Sequence, residues 1–184
     1  MNHPDAAIQT LLDKQSIYEC LMDYSRGVDR MDRALLLSVY HPDAIDDHSS
    51  VVGGREAIID WIFQFHGRNQ TSTQHMIVNH RCELEGSVAH CESYFFYAGM
   101  NSAGPELSIR GGRYLDRFEK REGKWAIAVR KVVTDWHGAP GEMLLSEAHR
   151  ATFNAAGRPA RDRSDPSYQR PLEISPERLG ARAG

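Results

Sequence analysis

The sequence has few cysteines, no long apolar run and no excess of charge of one sign. Its three cysteines, Cys20, Cys82 and Cys91, are too few and too scattered for a disulfide framework or a zinc cluster, so a reducing cytoplasm is the expected location. No stretch approaches the roughly 18 to 20 apolar residues of a membrane-spanning helix, and residues 1–5 lack the pattern of a secretory signal. We therefore expect no association with a membrane.

The balance of charges also excludes a class of partner. The sequence carries 22 Lys and Arg against 25 Asp and Glu, a formal net charge of −3. Proteins that bind nucleic acid present a basic surface, so nucleic acid is not an expected partner. No glycine-rich loop follows a predicted strand, and no pair of histidines has the spacing of metal ligands. We therefore expect neither a nucleotide cofactor nor a metal.

What is present is the composition of a globular domain, with 184 residues of which 41% are hydrophobic. A chain of this length forms one domain with a substantial core. Apolar residues recur at spacings of three and four from Pro4 to Asp29, again after Asp32 as an N-cap, and from Arg55 to Phe65. These patterns predict three helices, the second of which should end before Pro42.

Later segments are rich in aromatic and β-branched residues and predict strands over residues 73–84, 88–99, 106–119 and 124–136, with a short earlier strand at 44–48. Helices followed by strands indicate an α+β fold, in which three helices pack on a strongly curved, mostly antiparallel sheet and form a cone with a cavity. We assign residues 1–140 to this domain. We expect residues 141–184 to form a C-terminal region with a short helix at 143–153 and an extended tail.

Nine histidines raise the question of acid–base chemistry, and His75 is the strongest candidate among them. Strand alternation places His75 on a partly apolar face with Ile77. Asp29 follows the core position Val28 at the end of helix one, where the helix dipole disfavours a carboxylate, so we expect it to have a local partner. A carboxylate on one imidazole nitrogen would make the other a base. The alternatives are a surface aspartate and a hydrogen-bonded core histidine.

Four further polar residues lie in predicted strands. Arg130 lies in a strand that is apolar on both faces, so it must pair with an acid or contact a ligand anion. Arg110 precedes two glycines that indicate a β-bulge. Asp46 and His48 share one face of the short early strand.

This arrangement resembles the SnoaL-like branch of the NTF2-like superfamily over residues 5–137. The resemblance rests on Tyr24 and Asp29 ending helix one, His75 in a strand and Arg130 in the last strand. Enzymes of that branch include hexachlorocyclohexane dehydrochlorinase, scytalone dehydratase and bile-acid 7α-dehydratase. The resemblance implies that His75 is a general base oriented by Asp29, that Arg130 assists the leaving group, and that Tyr24 belongs to the catalytic set.

The resemblance also implies a cavity whose lining binds substrate. The residues expected to bind substrate there are Asp46, His48, Trp61, Tyr94, Phe96, Arg110 and Tyr114. Because this lining is more polar than that of the dehydrochlorinase, an oxygenated substrate is favoured. The expected function is a cofactor-independent lyase that eliminates water, formaldehyde or halide from a small hydrophobic molecule, aromatic or polycyclic, with loss of water or formaldehyde more plausible than loss of chloride.

Two other functions remain open from the sequence. One is a double-bond isomerase similar to ketosteroid isomerase, and the other is a non-catalytic module that binds a small molecule or assembles with a partner. The last strand carries Trp125, Ile127, Val129 and Val133 on a face that we expect to be exposed. Such an apolar face predicts a homodimer or a homotrimer.

Overall fold

The computed structural model describes residues 3–141, 160–169 and 171. Within them lie three α-helices and six strands. The elements are α1 (His3–Asp29), α2 (Arg33–Val39), β1 (Tyr40–Asp47), β2 (Val52–Gly54), α3 (Arg55–Asn69), β3 (Gln70–Glu85), β4 (Val88–Asn101), β5 (Leu107–Arg121) and β6 (Lys124–Gly138), followed by a single 3₁₀ turn at Pro166–Tyr168. The helix predicted at 143–153 falls outside the described residues. None of the described helices is both long enough and apolar enough to cross a membrane.

The six strands form one curved, open sheet in the order β2-β1-β6-β5-β4-β3. The pairing of β1 with β6 is parallel, and every other neighbouring pair is antiparallel. The helices cover one face of this sheet, with α1 against β3 and β6 and with α3 against β1, β2 and β3. The predicted α+β fold with a mostly antiparallel sheet is therefore confirmed.

Helix α1 anchors the core with one side of its C-terminal half. Ile17, Leu21, Tyr24 and Val28 follow one another at spacings of four, three and four residues and are almost completely buried. Burying an apolar side chain of this size contributes about 1.5–3 kcal/mol, so this stripe fixes α1 on the sheet. The predicted apolar residues of the first half of the helix remain exposed.

The end of α1 is defined by a Schellman motif. The N–H of Asp32 donates to the carbonyl of Gly27 at 2.8 Å, the N–H of Met31 donates to that of Val28 at 3.2 Å, and Met31 adopts the left-handed conformation with φ of 52°. The Asp32 carboxylate then accepts from the N–H of Leu35 and caps α2, as predicted. The two helices thus turn sharply at this point, which leaves Asp29 in the last turn of α1.

One strand start and one helix end differ from their predicted positions. Helix α2 ends at Val39, before Pro42 as predicted, but β1 begins at Tyr40 rather than at residue 44. Pro42 therefore lies inside β1, in the stretch between Tyr40 and Ile45 where the pairing with β6 is irregular. A proline is tolerated there because no regular ladder needs its missing N–H. Helix α3 continues past Phe65 to Asn69, because His66 adds one more buried position to its apolar side.

Two bulges interrupt the β5–β6 pair, and the second of them explains an error in the predicted exposure of the last strand. The register shifts at Gly111/Gly112, as predicted from the paired glycines, and again between Arg117 and Phe118, where Ala128 is the extra residue on β6. An extra residue reverses the alternation of side chains.

The expectation that Trp125 and Ile127 are exposed is therefore wrong: they are only 4% and 0% exposed, whereas Val129 is 37% exposed. Other apolar side chains of the sheet are exposed instead. They are Ile45, Val52, Met76, Val78, Tyr94 and Trp136. A homodimer or homotrimer stays a prediction.

The buried centre of the sheet holds an ion pair between β5 and β6. Arg130 is completely buried, and its guanidinium donates two hydrogen bonds to Asp116 at 2.7 and 2.8 Å. The rings of Tyr24 and Tyr114 lie 4.2 Å from the guanidinium carbon. Burial by itself lowers the pKa of Arg130, but Asp116 together with Tyr40 and Tyr24 raises that pKa well above its ordinary value.

We predict that Arg130→Met lowers the free energy of unfolding by about 3–5 kcal/mol, because it leaves Asp116 buried without its partner. The double variant Arg130→Met/Asp116→Leu should recover most of this loss, since a buried ion pair can be replaced by apolar groups at little cost. Urea denaturation measures both variants. If the free energy of unfolding of Arg130→Met lies within about 1 kcal/mol of the wild-type value, the ion pair does not stabilise the core.

The C-terminal segment 160–169 packs near the ends of α1 and α3. The Arg161 guanidinium donates to the carbonyls of His66 and Gln70 at 2.7 Å each. Arg30 lies 3.2 Å from the buried Asp165, and the Tyr168 hydroxyl lies 3.3 Å from the Asp32 carboxylate. This segment therefore covers the end of the domain at which Asp29 lies.

Candidate active site

A cavity of about 400 Å³ opens between α3 and the concave face of the sheet. Its volume lies at the lower end of the range for small-molecule sites, about 300–1,000 Å³. The lining residues combine aromatic and polar side chains. They are His48, Ser49, Ser50, Trp61, Phe65, His66, Gln70, His75, Phe95, Tyr97, Ser108, Arg110, Tyr114, Val132, Thr134 and His137. Such a lining suits a small, partly aromatic molecule with oxygen substituents.

The structure brings Asp29 and His75 together at one end of this cavity. Nδ1 of His75 lies 2.6 Å from Oδ1 of Asp29, and the backbone N–H of His75 donates to Oδ2 at 2.9 Å. Because a carboxylate only accepts hydrogen bonds, Nδ1 carries a proton and the lone pair of the neutral ring is on Nε2. Nε2 has no hydrogen-bond partner among the described residues. The ring is therefore fixed in position and tautomer, and no described residue occupies its basic nitrogen.

Two aromatic side chains surround His75. The ring centroids of His66 and Tyr97 lie 5.4 and 4.9 Å from that of His75. Burial, reinforced by His75, lowers the pKa of His66 to about 3, so His66 is neutral at physiological pH. Burial also raises the pKa of Tyr97 to about 12. The Tyr97 hydroxyl has no hydrogen-bond partner in the part of the chain that the structure describes.

A second histidine–aspartate pair lies at β1. Nδ1 of His48 lies 3.0 Å from Oδ1 of Asp46, and the Tyr40 hydroxyl donates to Oδ2 at 2.7 Å. Asp46 is almost fully buried, and His48 lines the cavity. The prediction that Asp46 and His48 share a face is thereby confirmed.

Two pairs of stacked rings form aromatic walls. Trp61 and Phe65 on α3 have centroids 5.2 Å apart, and Phe95 and Tyr114 on the sheet have centroids 4.6 Å apart. Stacked walls of this kind favour flat, aromatic ligands. Arg110 adds an exposed positive charge to the lining.

Five other predicted residues lie in two places. Trp61, Arg110 and Tyr114 line the cavity. Tyr24 and Arg130 belong to the core beside Tyr114, and neither is a lining residue, so their catalytic roles stay predictions.

The predicted placement of Tyr94 and Phe96 in the cavity is wrong. Tyr94 is 42% exposed, and the Phe96 ring contacts Trp136. The inward positions of β4 are instead Phe95 and Tyr97, because a register error of one residue exchanges the two faces of a strand.

Sequence reasoning missed five residues around the candidate base. They are Phe65, His66, Gln70, Phe95 and Tyr97. The alternation of β4 contained the signal for Phe95 and Tyr97, since Ala89, Cys91 and Ser93 continue the same buried series. His66 follows Ile59 and Ile62 at helical spacing, which is the signal for its burial on α3.

A possible metal-binding cluster lies outside the cavity lining. Donor atoms of His80, Cys82 and Cys91 lie within 4.8 Å of one another. Cys82 and Cys91 are free cysteines that lie directly opposite each other in the register of β3 and β4. The expectation that the cysteines are scattered is therefore wrong for these two. Burial raises the pKa of the Cys91 thiol far above its ordinary value, which opposes the thiolate that a metal requires.

A second depression of about 430 Å³ lies over strands β3 to β6 and is lined mostly by charged side chains. Arg81 in this depression is paired with Glu83, and Arg117 is paired with Glu119. The cavity between α3 and the sheet, where two histidine–aspartate pairs converge, is therefore the stronger candidate for chemistry.

Comparison with known proteins agrees with this architecture. The model of the SnoaL-like domain matches residues 9–131. This chain belongs to the SnoaL-like family. No curated protein matches its sequence significantly.

Solved structures of the same fold extend the comparison. Hexachlorocyclohexane dehydrochlorinase LinA-type3 from Novosphingobium barchaimii superposes with a TM-score of 0.70 at 17% identity, covering 76% of this chain and 98% of its own. A protein described as a scytalone dehydratase, from Novosphingobium aromaticivorans, gives a TM-score of 0.66 at 18% identity, with coverages of 77% and 99%. Rv3472 from Mycobacterium tuberculosis, of unknown function, superposes with a TM-score of 0.62 at 23% identity and covers 70% of this chain and 75% of its own. At these identities the likeness extends to the fold.

We predict that His66 makes the folded SnoaL-like domain less stable in acid. The unfolded chain binds a proton near the ordinary histidine pKa of about 6.5, whereas folded His66 binds it only near pH 3. Between these values the unfolded state holds more protons, so stability falls as the pH decreases, by at most about 1.4 kcal/mol per pH unit. Urea denaturation of His66→Gln from about pH 6.5 to 4.5 should therefore show a flatter dependence than the wild type.

His90→Gln provides the control for this measurement, because His90 is exposed on β4. It should retain the pH dependence of the wild type. An equal pH dependence in His66→Gln and the wild type would contradict the assignment of this effect to His66.

Proposed function

We propose that this protein is a cofactor-independent lyase that removes a proton and a leaving group from adjacent carbons of a small aromatic molecule. One observation carries the proposal: Asp29 holds both the backbone N–H and the ring of His75, and Nε2 of that ring has no partner among the described residues. A base fixed in this way contributes about 10²- to 10⁴-fold to a rate. Membership of the SnoaL-like family and the fold of the dehydrochlorinase support the same reaction type.

In this reaction Nε2 of His75 takes a proton from a carbon next to a carbonyl or an electron-poor ring. The electrons of the C–H bond become a carbanion or enolate, and expulsion of the leaving group from the neighbouring carbon then forms the double bond. Asp29 stabilises the imidazolium that is produced, since the carboxylate lies 2.6 Å from Nδ1. The residues named here complete the proton transfer without a cofactor.

Tyr97 is the proposed donor to the developing oxyanion. Its hydroxyl remains protonated because its pKa is raised, it has no partner among the described residues, and its ring lies 4.9 Å from that of His75. The hydroxyl is buried, and a buried donor that is unpaired before substrate binds can stabilise charge that develops beside it during the reaction. Tyr97 therefore stabilises the developing anion in the proposed reaction.

We predict that His75→Gln lowers kcat/KM about 10²- to 10⁴-fold, because the variant has no base at this position. A suitable probe is 4-hydroxy-4-phenylbutan-2-one, whose dehydration produces a conjugated enone that absorbs in the ultraviolet. The mass of the product separates elimination from isomerisation, because isomerisation conserves mass. His90→Gln is the matched control, with a histidine removed from an exposed position.

An unimpaired His75→Gln enzyme would contradict this mechanism. A product of unchanged mass would favour the isomerase, and tight binding of the probe without turnover would favour a non-catalytic binding protein. These results therefore distinguish the lyase from the isomerase and from the binding protein.

We predict that Tyr97→Phe lowers kcat about 10²- to 10³-fold with a smaller effect on KM, because the hydroxyl acts on charge that develops only during the reaction. Steady-state kinetics with the same ketone measures both constants. Unchanged kcat would exclude Tyr97 as the oxyanion donor and leave the role of His75 intact.

A further inference from the structure

The cavity contains two imidazoles that are each held by a buried or partly buried carboxylate. His48 and His75 both line it, and each contacts its aspartate through Nδ1. Each Nε2 is without a hydrogen-bond partner among the described residues. Removal of a proton requires only one histidine–aspartate pair. The second pair is therefore a candidate for a different step of the reaction.

The second pair is built as firmly as the first. Asp46 is 1% exposed, and its two oxygens are occupied by the Tyr40 hydroxyl and by Nδ1 of His48. The His48 ring lies against Trp61, with centroids 5.4 Å apart. The buried Asp46 carboxylate fixes the orientation of the His48 ring through Nδ1, and the contact with Trp61 limits the movement of that ring.

We propose that His48 is the general acid of the reaction and protonates the leaving group, with Asp46 as its positioning residue. This inference rests on the proposed lyase function and specifies the substrate class. Hydroxide and alkoxide are poor leaving groups and need a proton as the C–O bond breaks, whereas halide does not. The second pair therefore assigns the substrate to aromatic β-hydroxy or β-alkoxy carbonyl compounds.

One proton leaves carbon in the proposed step, and another is delivered to the departing oxygen. Nε2 of His75 receives the proton from carbon, the C–H electrons form the double bond, and the C–O electrons leave with oxygen. Nε2 of protonated His48 donates its proton to that oxygen, which departs as water or an alcohol. His75 ends protonated and His48 ends neutral, and exchange with solvent restores both.

The test uses one carbon skeleton with three leaving groups. The probes are 4-phenylbutan-2-ones that carry a hydroxyl, a methoxy or a 4-nitrophenoxy group at carbon 4. The wild type, His48→Gln, Asp46→Asn and His75→Gln are compared on all three, with His90→Gln as the control. Circular dichroism checks that each variant is folded.

We predict that His48→Gln loses about 10²- to 10⁴-fold in kcat with the hydroxyl and methoxy probes. It should retain nearly full activity with the 4-nitrophenoxy probe, because 4-nitrophenoxide departs without protonation. Asp46→Asn should show the same dependence on the leaving group with smaller losses. His75→Gln should lose activity with every probe, because all three require removal of the same proton.

The outcomes separate this inference from the function on which it rests. If His48→Gln loses equally with all probes, or only raises KM, His48 is not the acid and the base mechanism of His75 still stands. If the wild type eliminates none of the three groups, the proposed lyase function fails for this substrate class, and the assignment of His48 fails with it.

Discussion

The candidate site depends on one carboxylate that joins two distant parts of the chain. Asp29 accepts from the backbone N–H and lies against the ring of His75, 46 residues later. The Schellman motif around Met31 ends α1 at the turn where this carboxylate can reach β3. The same bonds therefore position the helix on the sheet and fix the tautomer of the histidine, which couples local helix termination to the chemistry of the cavity.

The two buried charged residues Arg130 and Asp46 differ in the kind of partner that each one contacts. Arg130 is neutralised by Asp116 and enclosed by the Tyr24 and Tyr114 rings, and Tyr114 stacks on Phe95, with which it lines the cavity. The Arg130–Asp116 ion pair thus packs against the Tyr114 ring and helps to fix the Phe95–Tyr114 wall of the cavity. Asp46 follows another pattern, since its partners are neutral or titratable groups. The Arg130–Asp116 pair is therefore a structural ion pair, whereas the His48–Asp46 pair includes a histidine, which can carry a proton in the proposed reaction.

Much of the fold and part of the site were predictable from the sequence, for physical reasons. The stripe that ends in Tyr24 and Val28 has strict helical spacing, and Asp46 and His48 are two residues apart on a strand, so local periodicity was enough. The errors at Tyr94 and Phe96 and at Trp125 and Ile127 concern strand faces. A bulge at Ala128 is determined by pairing with β5, and single-strand alternation contains no record of it.

The central claim is that His75 removes a proton from carbon, and deuterium exchange measures that step alone. The probe is 4-phenylbutan-2-one, which has acidic C–H bonds and no leaving group, followed by NMR in D₂O. The account predicts that the wild type and His48→Gln catalyse incorporation of deuterium next to the carbonyl, whereas His75→Gln does not. Exchange that is undiminished in His75→Gln, or absent in the wild type, would contradict the account.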